Sequence, residues 1–166
     1  MHTIARLLLI SLCMVCYCHS MAQKFTLPEL LSLNRCSMDS FDTYVTKRGY
    51  QFYKPIKSAE YGNAILYAFQ QNDSTLKADY FIRKYLPGSS NTKNISFQTI
   101  YVSDYLSLKD SLKTMGFTTT TSTPLESDNG LQLVYAKDTL KILLNSYLSN
   151  TDPKKKIAVY EITIIE

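Results

Sequence analysis

Ser103-Asp104-Tyr105-Leu106-Ser107-Leu108-Lys109-Asp110-Ser111-Leu112-Lys113-Thr114-Met115-Gly116-Phe117 reads as a helix that stops at a glycine and leaves as a strand. Ser103 is placed to cap the first turn by accepting from a free amide. Gly116 stands just past the last helical residue, where a left-handed backbone closes the helix without a steric penalty. The same pattern occurs earlier, in Ser37-Met38-Asp39-Ser40-Phe41-Asp42-Thr43-Tyr44-Val45-Thr46-Lys47-Arg48-Gly49-Tyr50. An aromatic follows each glycine, and what comes next also matches in order. First strands are predicted at 50–56 and 117–123. Turns follow at Tyr61-Gly62-Asn63 and at Ser127-Asp128-Asn129-Gly130, the latter holding the Asn-Gly pair favoured in tight hairpins. Second strands run over 64–70 and 131–136, with Tyr67-Ala68 matching Tyr135-Ala136. Third strands open at Thr75-Leu76-Lys77 and Thr139-Leu140-Lys141. Polar loops at 87–93 and 149–156 then lead to last strands at 95–102 and 157–165.

The predicted class is therefore α+β: tandem helix-plus-four-strand repeats, about 23–102 and 103–166, forming one antiparallel sheet with helices on one face of a single domain. A short extra helix precedes the first repeat and has no counterpart in the second. Thr26-Leu27-Pro28-Glu29 gives it a capping box, and Leu30, Leu31 and Leu33 give it an apolar side. In the next helix Met38, Phe41, Tyr44 and Val45 fall at helical spacing.

This order of elements resembles the β-lactamase inhibitory protein fold and the small outer-membrane lipoproteins of the SmpA or BamE type, in which a helical pair precedes an antiparallel sheet. The resemblance covers residues 23–166 as order of elements. It implies binding of another protein through the uncovered sheet face or its hairpin loops, without catalysis.

The first 22 residues have a different character. Arg6 precedes an apolar run from Leu7 to Cys18, and Ser20-Met21-Ala22 offers small residues at a cleavage site. Residues 1–22 are expected to be a signal peptide cleaved after Ala22. The run is short for a bilayer core of ~30 Å, so a secreted or periplasmic chain without a transmembrane span is expected. Cleavage would remove His2, His19, Cys13, Cys16 and Cys18, leaving Cys36 as a lone, structural thiol in a chain that has no tryptophan. Without histidine, a Ser-His-Asp arrangement cannot form, and neither a metal nor a cofactor is expected. The net charge of +4 is spread along the chain, so nucleic acid is not an expected partner. Asp39, Asp42, Glu60, Asp79 and Glu161 leave one enzymatic alternative, a carboxylate-dependent hydrolase acting on envelope carbohydrate. That chemistry needs two carboxylates about 5–10 Å apart in a cleft.

Strand alternation suggests the face available to a partner. Leu140, Ile142 and Leu144 form one row, and Lys141, Leu143, Asn145 and Tyr147 the other. In the matching strand Leu76, Ala78, Tyr80 and Ile82 are set inward, and Lys77, Asp79, Phe81, Arg83 and Tyr85 outward. Either row of the last strand can be buried; the reading adopted puts Tyr160 outward. Phe81, Arg83, Tyr85, Lys141, Tyr147 and Tyr160 are then the candidate binding residues, because aromatics and arginine carry much of the energy of protein contacts. Exposed strand aromatics also occur without any role, and flat rings suit sugars as well. The function expected is that of an exported, non-enzymatic binding or envelope-associated protein. It would use this face and the Pro87 and Pro153 loops to hold a protein partner.

Overall fold

Helix α1 (Leu27–Arg35) starts where the Thr26 amide donates to Glu29 Oε2 at 2.8 Å, and it buries Leu27, Leu30 and Leu33 along one side. Helix α2 (Met38–Lys47) starts where Ser37 Oγ accepts from the Ser40 amide at 3.3 Å, and it buries Phe41 and Val45. Its end has the expected glycine closure. Gly49 has φ +85°, and the Tyr50 amide reaches back to the Val45 carbonyl at 3.1 Å. Helix α3 (Val102–Thr114) repeats this, with Gly116 at φ +81° and the Phe117 amide on the Leu112 carbonyl at 3.0 Å. Leu108 and Leu112 are buried in α3 as Phe41 and Val45 are in α2.

The start of α3 departs from the sequence reading. Its N-cap is Tyr101, and Ser103 is an exposed residue inside the helix. Asp104 turns inward instead, accepts from the Tyr80 hydroxyl at 3.0 Å and lies 3.7 Å from Lys24 Nζ. A carboxylate in the first turn favours the positive end of the helix dipole, so the hydroxyl is not needed as the cap.

Gly116→Ala is expected to lower stability by about 1–2 kcal/mol, the cost of a left-handed backbone for a residue with a Cβ. Gly49→Ala should cost more, because its Cβ would also meet Phe69 at 3.2 Å. Denaturant titrations measure both, and unchanged midpoints would contradict this account of the helix ends.

This computed structural model describes residues 24–57, 62–71, 77–86, 93–125, 130–149 and 156–166. The strands are β1 (Gln51–Ile56), β2 (Ala64–Phe69), β3 (Tyr80–Tyr85), β4 (Lys93–Thr99), β5 (Thr118–Leu125), β6 (Gly130–Lys137), β7 (Leu140–Ser149) and β8 (Ile157–Ile165). With the three helices they make an α+β protein. The strands form one antiparallel sheet in the order β1-β2-β3-β4-β8-β7-β6-β5. Each half is a four-strand meander, and the halves join through their last strands.

At that junction Ser96 stands opposite Thr163, flanked by Ile95 opposite Ile164 and Phe97 opposite Ile162. The spacing that carries Gly49 onto Gly116 also carries Ser96 onto Thr163, Ile95 onto Ile162 and Phe97 onto Ile164. An approximate two-fold therefore passes between Ser96 and Thr163. The outermost strands agree with it. Gln51 faces Ala68 as Thr118 faces Ala136, and a bulge falls between Phe52 and Lys54 in one half and between Thr119 and Thr121 in the other.

The match of Thr75-Leu76-Lys77 to Thr139-Leu140-Lys141 does not carry into the register. Tyr80 faces Phe69 just as Leu140 faces Lys137, so Tyr80 is the counterpart of Leu140. The first half simply has the longer β2–β3 connection. Likewise β4 ends at Thr99, because Val102 already begins α3. The leader, Glu60, Thr75, Leu76, the turn at 127–129 and the Pro87 and Pro153 loops lie outside the described residues.

Helix contacts fall on alternate sheet positions. Phe41 of α2 packs on Tyr67 of β2, with ring centroids 5.7 Å apart, and Tyr105 of α3 packs on Tyr160 of β8 at 4.8 Å. Lys84 of β3 donates to the Leu33 and Asn34 carbonyls at the end of α1, at 2.7 and 3.1 Å. A cation there complements the negative end of the helix dipole, although burial pushes the Lys84 pKa down. Following the register through Tyr67–Ile82–Phe97–Ile162 places all three contacts on the same set of rows. Ile82, Phe97, Ile142, Leu144, Ile162 and Ile164, nearly or wholly inaccessible to solvent, fill the core beneath. Cys36 sits half-buried between α1 and α2, its thiol donating to the Leu33 carbonyl at 3.3 Å.

Candidate functional site

The rows that alternate with the helix-contacting ones carry a different chemistry. One row crosses the sheet as Arg83–Ser96–Thr163–Leu143, and its neighbour as Phe81–Gln98–Glu161–Asn145–Gln132. The middle of this second face is shielded from solvent: Ser96, Thr163, Val159 and Leu66 are all buried.

Arg83 and Glu161 form its polar centre. Arg83 Nη1 donates to the Tyr85 hydroxyl at 3.1 Å, with the guanidinium carbon 5.9 Å from the centre of that ring. The Ser96 hydroxyl donates to the Glu161 carboxylate. Burial works against the Arg83 charge, but the fields of Glu161, Tyr85 and Tyr147, with the Tyr85 hydrogen bond, hold its pKa above the ordinary value. Arg83 Nε is buried with no hydrogen-bond partner among the described residues. Gln132 Nε2 donates to Asn145 Oδ1 at 3.0 Å beside this centre, and on its other side the Tyr53 ring lies 5.8 Å from Phe81. Tyr147 crosses β7 next to Gly130, where an added Cβ would come within 2.9 Å of its own.

Of the six residues singled out from sequence, Phe81, Arg83, Tyr85 and Tyr147 share this face. Lys141 is on the same rows but exposed at the other end of β7, opposite Ala136 and Ile165, about 20 Å along the strand from Tyr147. Tyr160 is not on this face, because its ring packs against Tyr105 of α3. Both rows of β8 are largely apolar, so alternation alone cannot orient that strand; its pairing with β4 does. Nothing local in the sequence marks Ser96, Gln132 and Asn145 as site residues, and Glu161 stands there only as one carboxylate among several. Their link to Arg83 follows from register between strands distant in sequence.

Five of the described carboxylates are held by different neighbours. Asp42 accepts from Tyr67 at 2.5 Å, Asp79 from Tyr101 at 2.6 Å, Asp104 from Tyr80, Glu161 from Ser96, and Glu29 from Arg48. Among the described residues no group of three or more His, Cys, Asp or Glu side chains is placed to hold a metal ion, and no helix is long and apolar enough to cross a membrane.

These hydrogen bonds set a pH dependence. Burial and then a carboxylate partner raise the phenol pKa of Tyr67 and Tyr80, and the Asp79 bond with partial burial raises Tyr101 to about 12. An unfolded tyrosine ionises near pH ~10, so the folded state retains these protons longer. The resulting stability is complete below that pH and is lost as pH rises through the folded values. Spectrophotometric titration should show phenols lagging behind the exposed ones, with the lag reduced in Tyr101→Phe; a single transition near pH ~10 would contradict it.

Comparison with protein-family models, with curated proteins and with solved structures gave no match for this chain.

Proposed function

We propose that this is an exported, non-enzymatic binding protein, released by cleavage after Ala22, which holds a protein partner on the second face of its sheet. One observation carries the reading: Arg83 breaks the approximate two-fold. Its counterpart opposite Thr163 is Leu143, so the sheet accepts an aliphatic side chain at this position. A half-buried guanidinium braced by Tyr85 and Glu161 is therefore not something the fold requires. Together with Phe81 and Tyr147 it has the aromatic-plus-arginine make-up of an interface centre, where a few shielded residues dominate affinity.

The test is capture from an extract of the source organism's envelope and exported fractions. Wild type is compared with Arg83→Leu/Glu161→Gln and with Tyr147→Ser. Both charges are removed together because a half-buried carboxylate left without its arginine would destabilise the sheet by itself. Each variant is expected to fold, and to hold the captured partner about tenfold more weakly or worse. Equal capture by wild type and both folded variants would reject this face.

A further inference from the structure

We propose that β5 is a self-pairing edge, through which two copies of the chain join antiparallel into one continuous sheet. The two ends of the sheet occupy equivalent places in the two halves, and their sequences treat the open edge in opposite ways. Beyond its bulge, β1 continues with Lys54 and Pro55. A charge and a residue without an amide donor are two of the usual devices that keep an edge strand from templating another chain. Beyond its matching bulge, β5 continues with Thr121, Ser122 and Thr123 before Pro124 interrupts it.

From Thr118 to Leu125 there is no charged residue, and every position up to Pro124 is exposed. Along residues 121–123 the backbone is extended, its amides and carbonyls alternate between β6 and the open edge, and no side-chain charge is there to repel a partner.

A second copy fits this edge better than an unrelated strand does. Antiparallel pairing of a strand with itself about a two-fold brings each residue against its mirror position, so a charge at the axis meets its own copy and one beside the axis lies diagonal to it. β5 has none to oppose, whereas Lys54 would be brought near its own copy at β1. Thr and Ser set opposite one another across antiparallel strands are a favourable combination. Around Ser122 such an axis places Thr121 opposite Thr123 of the other copy. The chain already uses this geometry internally, where Ser96 meets Thr163 at the β4–β8 junction. Closed two-fold pairing consumes the edge in both copies and leaves the two β1 edges at the outside, where Lys54 and Pro55 stop further growth.

The experiment is sedimentation equilibrium of the protein purified from cells expressing the full chain, over a wide concentration range. Wild type is compared with Ser122→Lys, Ser122→Glu and an equal mixture of the two. The residue is exposed, so each variant should melt as wild type does. Concentration-dependent dimers are expected for wild type, with self-association weakened about tenfold or more in each variant alone by like charges at the axis. The mixture should recover it. Wild type that stays monomeric throughout would overturn the proposal, as would dimers that persist equally in Ser122→Lys. Failure of the mixture to reassociate would also overturn it, because the loss would then not come from charge at the axis.

Discussion

Phe97→Ala is expected to lower the unfolding free energy by about 3–5 kcal/mol, as truncation of a fully enclosed phenylalanine does. Phe97 is 1 % exposed and lies on β4 between Ile82 and Ile162. Its ring stacks on Tyr80 at 5.8 Å and meets Phe25 edge-on at 5.4 Å. Removing it opens a void where strands of the two halves and the segment leading into α1 converge, and none of these can close it without moving the sheet. Its counterpart Ile164, wholly buried on β8, should cost about 2–5 kcal/mol when cut to alanine. Because both side chains sit where the halves share an interior, each variant should still unfold in one transition, since neither half retains a core of its own. Denaturant titration followed by two probes measures this. A loss below about 1 kcal/mol would place Phe97 outside a packed junction, and separated transitions would show the halves to be independent.

Gly130→Ala is the second large effect, and its cause differs from that at Gly49 and Gly116. Gly130 is not among the glycines with positive φ. Its need is steric: a Cβ would lie 2.5 Å from the Ser146 carbonyl oxygen, 2.9 Å from Tyr147 Cβ and 3.1 Å from Leu125 Cδ1. The nearest of these is backbone in the paired strand, so β6 and β7 would have to separate locally. A cost of about 1–3 kcal/mol follows from such overpacking, along with displacement of Tyr147 from the second face. Both parts are measurable, the first by melting and the second by weaker partner capture. An alanine variant with wild-type stability and an unmoved Tyr147 would contradict the close approach.

The elements legible in the sequence were those with local causes. Ser37 caps α2 through its own hydroxyl, Glu29 answers the Thr26 amide, and two left-handed glycines end two helices. The Tyr-Ala pairs located the second strands correctly, because Tyr67 and Tyr135 face Ile82 and Ile142 in matching register. What failed depended on distance. Thr75-Leu76-Lys77 looked like a repeat of Thr139-Leu140-Lys141, yet a connection whose length is not fixed by local chemistry lies between β2 and β3. Gly130 does open β6 in the expected β5–β6 hairpin, opposite Leu125, but its steric constraint from Ser146 and Tyr147 across the ladder has no local signal.

The candidate site divides the same way. Alternation within β3 and β7 was enough to put Phe81, Arg83, Tyr85 and Tyr147 on common rows. Tyr160 was misplaced, since a strand apolar on both sides is oriented only by its neighbours. The bond between Ser96 and Glu161 joins strands 65 residues apart in the sequence, and only their pairing at the junction reveals it.

That junction is tested most directly by nuclear Overhauser contacts between β4 and β8 in the isotope-labelled protein. Cross-strand backbone contacts are predicted between Ser96 and Thr163, between Ile95 and Ile164, and between Phe97 and Ile162, all in the antiparallel pattern. Their absence, or contacts placing β4 against any strand of the second half other than β8, would contradict a sheet in which two equivalent halves meet through their final strands.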